Sequence, residues 1–138
     1  MRYLIDTNIL CFLAYNLNSI SRNVQDIFND YNNRVYISSE CVRELINLHQ
    51  SDKIEAIRWK NARDIISFII DEANIEIKYV KEEHLWTLAD LPRFADHKDP
   101  SDRIIIAQAI TEKIPIISSD RKFSCYEKYG LDFVFNKR

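Results

Sequence analysis

Four acidic side chains of this sequence have the type and placement that metal-assisted chemistry requires, and they are Asp6, Glu44, Asp102 and Asp120. Two of them come within three residues of the end of an apolar run that is typical of a buried strand, and the other two stand within helical patterns. Carboxylates gathered in one place repel one another unless a cation lies between them. Their hard oxygen atoms suit Mg²⁺ or Mn²⁺, and such ions assist the cleavage of phosphodiesters. The four acids together predict a metal site suited to the cleavage of phosphodiester bonds.

The stretch Asp99-Pro100-Ser101-Asp102-Arg103 also has a complete structural explanation. Aspartate followed by proline is a typical helix start, with Asp99 as the N-cap. Asp102 matches the acid of a capping box, and the helix dipole favours a negative charge there. Of the other three acids, the two that follow strands would cap helices, and the one inside a helix would be an ordinary surface acid. The functional interpretation depends on the fold bringing all four together.

The elements that must position these acids alternate along the chain. Apolar runs predict strands at Arg2–Ile5, Val35–Ile37, Ile75–Val80, Pro115–Ile117 and Leu131–Phe135. Helical spacing of apolar residues predicts helices from Asp6 to Leu17, Val24 to Tyr31, Ser39 to Leu48, Ile54 to Ala73, Glu82 to Ala89, Pro100 to Lys113 and a short one from Phe123 to Tyr129 that ends at Gly130. This alternation predicts an α/β domain with a mainly parallel sheet of four or five strands, covered by helices on both faces. Ligands of such sheets bind at the carboxyl ends of the strands.

Composition limits the classes of protein. A chain of 138 residues, 46% hydrophobic and 29% charged, is expected to form a single domain over residues 1–138. We expect no membrane span and no secretory signal, because no apolar run is long enough and Asp6 interrupts the first one. A net charge of −2 argues against a large basic surface for nucleic acid, but not against a nuclease whose metals carry positive charge. A single glycine excludes glycine-rich phosphate loops.

Three cysteines, odd in number and far apart, argue against a zinc site or a disulfide frame. Cys11 and Cys41 stand among apolar neighbours and are expected to be buried. Together these features predict a cytoplasmic protein.

The sequence resembles the PIN-domain ribonucleases, and among them the small VapC-type toxins of toxin–antitoxin pairs. The resemblance covers almost the whole chain and rests on Tyr3-Leu4-Ile5-Asp6-Thr7-Asn8-Ile9, on Ser38-Ser39 with Arg43-Glu44-Leu45, on His97-Lys98-Asp99-Pro100-Ser101-Asp102-Arg103-Ile104 with Ala107-Gln108-Ala109, and on Ile117-Ser118-Ser119-Asp120 with Phe123. Each segment alone is weak, whereas the four in this order and spacing are specific.

The resemblance implies a three-layer α/β/α sandwich and a metal-dependent endoribonuclease. It implies that Asp6, Asp102 and Asp120 hold Mg²⁺ or Mn²⁺ and that Glu44 completes the catalytic cluster through water. It further implies an RNA substrate, a cognate antitoxin protein and a homodimer. Residues expected to support the acids or to position the substrate are Asn8, Asp99 and Arg103, with Thr7 as an alternative to Asn8.

Several alternatives remain open. Arg103 would pair with a carboxylate, with the scissile phosphate, or with a plain surface acid. His97 is interpreted as a surface residue or a neighbour of the site, and not as a ligand. Three cations at the expected rim would either hold phosphates or be solvated charges, and they are Lys98, Arg121 and Lys122.

Two other classes of protein compete with the ribonuclease. One is a catalytically silent PIN-like module that binds RNA or protein, and the four intact acids argue against it. The other is a phosphotransfer domain with Asp6 as nucleophile. Asn8 stands where its second acid would be, and no lysine directly follows the strand that ends at Ile117.

Overall fold

The computed structural model of this chain describes residues 1–54 and 59–138. Its five strands are β1 (Arg2–Ile5), β2 (Arg34–Ser38), β3 (Glu76–Lys78), β4 (Ile116–Ser118) and β5 (Phe133–Phe135). Its α-helices are α1 (Thr7–Tyr15), α2 (Arg22–Asn29), α3 (Ser39–Gln50), α4 (Ala62–Ser67), α5 (Glu82–Asp90) and α6 (Pro100–Glu112). Further helical turns are a 3₁₀ turn at Leu17–Ser19, a π-helical segment at Phe68–Glu72 and the 3₁₀ helix Arg121–Tyr129.

The strands form one fully parallel sheet in the order β3-β2-β1-β4-β5. Neighbouring residues of a strand point to opposite faces of the sheet. Leu4 and Ile5 are neighbours in β1, and both are completely buried. Helices therefore cover both faces, and the three-layer α/β/α sandwich predicted from the sequence is confirmed.

The strand order defines where a ligand would bind. β2 and β3 lie on one side of β1, and β4 and β5 lie on the other. The chain order reverses between β1 and β4, and the crevice at their carboxyl ends is the usual binding site of open α/β sheets. The register pairs Ile5 with Ile117, so Asp6 and Ser118 leave the sheet side by side.

Asn136 ties the carboxyl-terminal segment to this edge of the sheet. Its backbone N–H donates to the Ser118 carbonyl (2.8 Å), and its side-chain amide donates to the Ser119 hydroxyl (2.8 Å). The same amide group donates to the Ser19 carbonyl and accepts from the Ser21 N–H, both at 2.8 Å. Completely buried and fully hydrogen-bonded, Asn136 connects the end of β4 with the loop between α1 and α2.

Most predicted boundaries are confirmed, and the signals that set them are visible. The Ser38 hydroxyl caps α3, and Asp99 caps α6 with Pro100 at the first helical position. Gly130 has φ of 100° and ends the 3₁₀ helix in the left-handed conformation that glycine tolerates. The buried positions Cys11 and Cys41 are also as expected.

The predicted helix from Ile54 to Ala73 is wrong in its start and partly in its type. Part of it, residues 55–58, lies outside the described residues. The helix begins at Ala62 because Asn61 and Asp64 form a capping box, in which each side chain accepts from the backbone N–H of the other. The last turns, Phe68–Glu72, are π-helical.

The second predicted helix also ends earlier than expected, at Asn29. The Asp30 side chain accepts from the Asn32 N–H, and the Asn33 amide donates to the Ile27 carbonyl. These side-chain bonds compete with the helical pattern and turn the chain, leaving Tyr31 97% exposed. Within the described residues, no helix has the length and apolar character needed to cross a bilayer.

Candidate active site

Asp6 lies buried at the end of β1 and caps α1. Its Oδ1 accepts from the Ile9 N–H (3.1 Å), and its Oδ2 accepts a hydrogen bond from the Ser118 hydroxyl. The side chain is only 5% exposed. Burial raises the pKa of Asp6 to about 7, and the charges of Asp102 and Asp120 add to the rise, while the two hydrogen bonds oppose it. The ionised form of Asp6 is thus disfavoured in this environment, and a bound cation would stabilise it.

Asp102 stands in the first turn of α6, where the Asp99 cap places it. Asp99 Oδ1 accepts from the Ser101 and Asp102 N–H groups at 2.9 and 3.1 Å. Burial raises the pKa of Asp102 to about 6, the nearby Asp99 charge raises it further, and His97 lowers it. Asp99 is therefore a helix cap whose charge is also felt at the site.

Asp120 reaches the same place from the end of β4. Its backbone N–H donates to the Ser118 hydroxyl oxygen at 3.0 Å. Its Oδ1 accepts from the Lys122 N–H at 2.9 Å and caps the 3₁₀ helix, as the structural interpretation predicted. Its Oδ2 lies 3.9 Å from His97 Nε2. Oδ1 thus stabilises the start of the 3₁₀ helix, while Oδ2 faces His97 and the other acids.

Glu44 joins the cluster from α3. Its Oε1 accepts from the Thr7 hydroxyl at 2.9 Å, so Thr7, the neighbour of Asp6, connects two of the acids. The charges of Asp6, Glu44 and Asp102 add to the effect of burial and raise the pKa of the Cys41 thiol. Asp6, Glu44 and Asp102 therefore all lie near enough to the buried Cys41 for their charges to act on its thiol.

Two supporting residues differ from expectation. Asn8 is exposed in the first turn of α1, and Thr7, the alternative, makes the hydrogen bond to an acid. Arg103 donates to the backbone carbonyls of Pro92 (2.7 Å) and Leu91 (3.1 Å). It therefore fastens the segment before α6 instead of pairing with a carboxylate.

His97 is a neighbour of the proposed site, which was one of the two interpretations of its place in the sequence. It is buried, 4% exposed, so the interpretation as a surface residue is wrong. Its Nε2 lies 3.1 Å from Asp102 Oδ2, and its Nδ1 lies 2.8 Å from the Tyr126 hydroxyl. The signal that could have identified it is its position two residues before the Asp99 cap.

Exposed cations stand beside the acids. Lys98 directly precedes Asp99, and Arg121 and Lys122 directly follow Asp120. The Arg121 guanidinium lies 4.3 Å from the centre of the Phe135 ring, which restrains it beside the site. These side chains are available to hold phosphates on either side of a reacting bond.

The residues present fit a divalent cation. Carboxylate oxygens from Asp6, Asp102 and Asp120 are the hard ligands that Mg²⁺ and Mn²⁺ prefer. Burial and mutual repulsion oppose the ionised forms of Asp6 and Asp102, and a bound cation would reverse both effects. His97, Asp102 and Asp120 also form a group whose potential ligand atoms lie within 4.8 Å of one another.

This fold and acidic crevice define a known class of protein: the chain belongs to the PIN-domain family, whose model matches residues 3–129. No curated protein matches the chain.

Solved structures share the whole fold. One is VapBC2 from Rickettsia felis bound to a DNA fragment from their promoter, with a TM-score of 0.74 and 18% identity over 99% of this chain and 100% of that one. A second is DNA-bound VapBC from Salmonella typhimurium (TM-score 0.70, 19% identity, 98% of each chain). A third is VapBC-1 from nontypeable Haemophilus influenzae (TM-score 0.69, 19% identity, 98% of each chain). At this identity the likeness establishes the fold.

Proposed function

We propose that residues 1–138 form a single PIN domain that hydrolyses RNA with a divalent metal, and that it is the toxin of a type II toxin–antitoxin pair. The observation that carries the proposal is the meeting of Asp6 and Asp120, from the ends of two neighbouring strands, with Asp102 from the start of α6. Their charges reach one another, since Asp102 and Asp120 both raise the pKa of Asp6. A buried carboxylate such as Asp6, with two like charges near it, is costly to a fold without a cation.

Asp6, Asp102 and Asp120 would hold Mg²⁺ or Mn²⁺, and Glu44 would act through water. When bound, the cation supplies Lewis acidity and lowers the pKa of water. The chain's own residues orient the carboxylates beforehand: Ser118 holds Asp6, and Thr7 holds Glu44. The exposed cations Lys98, Arg121 and Lys122 would hold the flanking phosphates.

The chemistry proposed is attack of water on the phosphorus with departure of the 3′ oxygen. This route does not use the ribose 2′-hydroxyl and needs no histidine as a base. The products therefore carry 5′-phosphate and 3′-hydroxyl ends, and a 2′,3′-cyclic phosphate would contradict it.

A groove suits the antitoxin partner. It encloses about 670 Å³ between the ends of α1 and α2 and the β2–β3 edge, and its lining is mixed. Apolar side chains such as Leu13, Leu17 and Phe28 alternate there with polar ones such as Arg34 and Glu76. Leu17 is 64% exposed. We assign the groove to an amphipathic segment of the antitoxin, because three similar structures are VapBC proteins and exposed apolar side chains in a groove mark interaction sites.

The homodimer is a separate part of the proposal. Leu85 and Trp86 of α5 are 52% and 67% exposed, on a surface where Leu85 and Val80 line a second groove. Large exposed apolar side chains favour association, and we assign the surface of α5 and this groove to a second copy of the chain.

RNA cleavage by wild type and by Asp6→Asn tests the nuclease. Purified protein is incubated with total RNA in Mg²⁺, in Mn²⁺ and in chelator, and the ends of the products are identified. Cleavage by wild type only with metal, and its loss in Asp6→Asn, is expected. Asp132→Asn changes an exposed acid in the same way and should cleave normally. Full metal-dependent cleavage by Asp6→Asn would contradict the assignment, and absence of metal binding in wild type by calorimetry would favour a silent binding module.

A further inference from the structure

His97 lies buried between an aromatic hydroxyl and a carboxylate of the proposed site. Its Nδ1 is 2.8 Å from the Tyr126 hydroxyl, and its Nε2 is 3.1 Å from Asp102 Oδ2. The Phe123 ring packs against the imidazole edge-on, with centroids 5.5 Å apart. Both ring nitrogens are therefore engaged, and the ring is fixed by packing.

The partners of the ring determine where its hydrogen lies. An ionised carboxylate only accepts hydrogen bonds, so the nitrogen that faces Asp102 must carry a hydrogen. In the neutral ring this leaves Nδ1 as an acceptor, and the group beside it is the Tyr126 hydroxyl. Tyr126 must then donate to His97. The opposite tautomer would place two lone pairs against each other at 3.1 Å.

Arg103 favours the same direction from the far side of Tyr126. Its guanidinium hydrogen-bonds the Leu91 and Pro92 carbonyls and lies beside Tyr126, where it counteracts the rise that burial causes in the pKa of Tyr126. A cation at the phenolic oxygen attracts its lone pairs and turns its hydrogen away, towards His97. Donors thus point one way, from Tyr126 through His97 to Asp102, and such chains strengthen each bond in them.

We propose that His97, held by Tyr126 and Phe123, is a positioning residue that fixes the Asp102 carboxylate for the metal without binding the metal itself. The proposal rests on the proposed function for the ion that Asp102 would hold. Hydrogen bonds to metal-binding carboxylates typically change metal affinity 10–100-fold when they are removed.

The tautomer of His97 is the first test, and it needs no metal. Nitrogen NMR of ¹⁵N-histidine protein distinguishes a ring nitrogen that carries hydrogen from one that does not. The chain has three histidines, and loss of one signal set in His97→Gln assigns the resonances. A hydrogen on Nε2 is expected, and a ring with hydrogen on Nδ1 alone would overturn the proposal.

Metal affinity is the second test, measured by calorimetry with Mn²⁺ and with Mg²⁺. His97→Phe keeps the ring size but cannot donate, and it should weaken both metals by the same factor of roughly 10–100. His97→Gln returns an N–H donor near the Nε2 position and should recover most of the affinity. Unchanged affinity in a folded His97→Phe would refute the role, and a loss confined to Mn²⁺ would make His97 a direct ligand instead.

Tyr126→Phe keeps the proposal testable if His97→Phe does not fold. It removes only the hydroxyl and frees the ring to change tautomer, so we expect weaker metal binding than in wild type. Tyr129→Phe is the matched control, because Tyr129 lies one turn later on the same 3₁₀ helix and is 43% exposed. Equal affinities in Tyr126→Phe and Tyr129→Phe would refute the part assigned to Tyr126. If wild type binds no metal, the proposed function is refuted. The NMR measurement of the His97 tautomer would still show whether His97 donates a hydrogen bond to Asp102.

Discussion

The Ser118 hydroxyl donates a hydrogen bond to the Asp6 carboxylate across the carboxyl ends of β4 and β1. The two residues are 112 positions apart in the chain, and the parallel register of the two strands brings them together. The same hydroxyl oxygen accepts from the Asp120 N–H. One buried serine therefore positions two of the proposed metal ligands.

Removal of this hydroxyl should raise the pKa of Asp6 further. In Ser118→Ala the carboxylate loses a hydrogen bond worth about 1.5–3 kcal/mol to a charged group, so its pKa should rise by roughly one to two units. Metal binding at neutral pH should weaken accordingly, because the protein must first release a proton. Calorimetric titrations with Mn²⁺ over a range of pH measure the shift. Ser124→Ala, an exposed position on the 3₁₀ helix, should bind like wild type, and an unchanged profile in Ser118→Ala would contradict the argument.

Asp6→Asn should stabilise the metal-free protein while it abolishes cleavage. The amide keeps the Ile9 cap and removes a buried charge that two other acids repel. We expect a gain of at least about 1 kcal/mol, or about 4 °C in melting temperature for a chain of this size. Thermal unfolding in chelator at pH 7.5 measures it. A lower melting temperature than that of wild type would contradict the expectation that the buried Asp6 charge destabilises the metal-free protein.

The stability of the metal-free protein should fall as pH rises from about 4 to about 7. The folded protein holds protons on Asp6 and Asp102, with pKa values of about 7 and about 6, that the unfolded chain releases near 3.8. Unfolding thus releases protons and becomes easier at higher pH, by up to about 4 kcal/mol for Asp6. Denaturant unfolding at a series of pH values measures this slope. Saturating Mn²⁺ should flatten or reverse it, and Asp6→Asn should reduce it.

Asp99 should matter through its cap and not as a metal ligand. Asp99→Asn keeps an equally good N-cap and should leave stability and cleavage close to wild type, whereas Asp99→Ala should cost about 1 kcal/mol. Asp102→Asn is the comparison and should lose cleavage. Melting curves and RNA cleavage of the three variants decide it; an Asp99→Asn variant as inactive as Asp102→Asn would place Asp99 among the ligands.

Substitutions of two exposed leucines test the two proposed surfaces independently. Leu17→Glu puts a charge into the groove assigned to the antitoxin, and Leu85→Glu puts one on the surface assigned to a second copy. Both are largely exposed, so neither change should unfold the protein. Co-purification with the product of the neighbouring reading frame should be lost only in Leu17→Glu. Light scattering should find monomer only in Leu85→Glu, and the reverse pattern would exchange the two assignments.

Sequence patterns predicted the elements and the meeting of the acids because both follow from local signals. Alternating strands and helices predict a parallel sheet, and in a parallel sheet Asp6 and Asp120 both follow strands at the same, carboxyl-terminal edge. Contacts between distant residues could not be predicted in this way. His97 is buried against Tyr126, 29 residues later, and this contact orients its other ring nitrogen towards Asp102. Arg103 donates to two backbone carbonyls and not to a carboxylate, and no sequence pattern indicates those acceptors. The late start of α4 was a missed local signal, since Asn61 and Asp64 are a readable capping box.

Asn136 lies beyond the residues 3–129 that the family match covers. A chain trimmed at residue 129 to fit that match would lose β5 and the amide that holds the Ser118–Ser119 end of β4. It would also release the loop at Ser19–Ser21. The last nine residues carry no acid of the proposed site, yet through Asn136 they hold the backbone of Ser118, whose hydroxyl contacts Asp6.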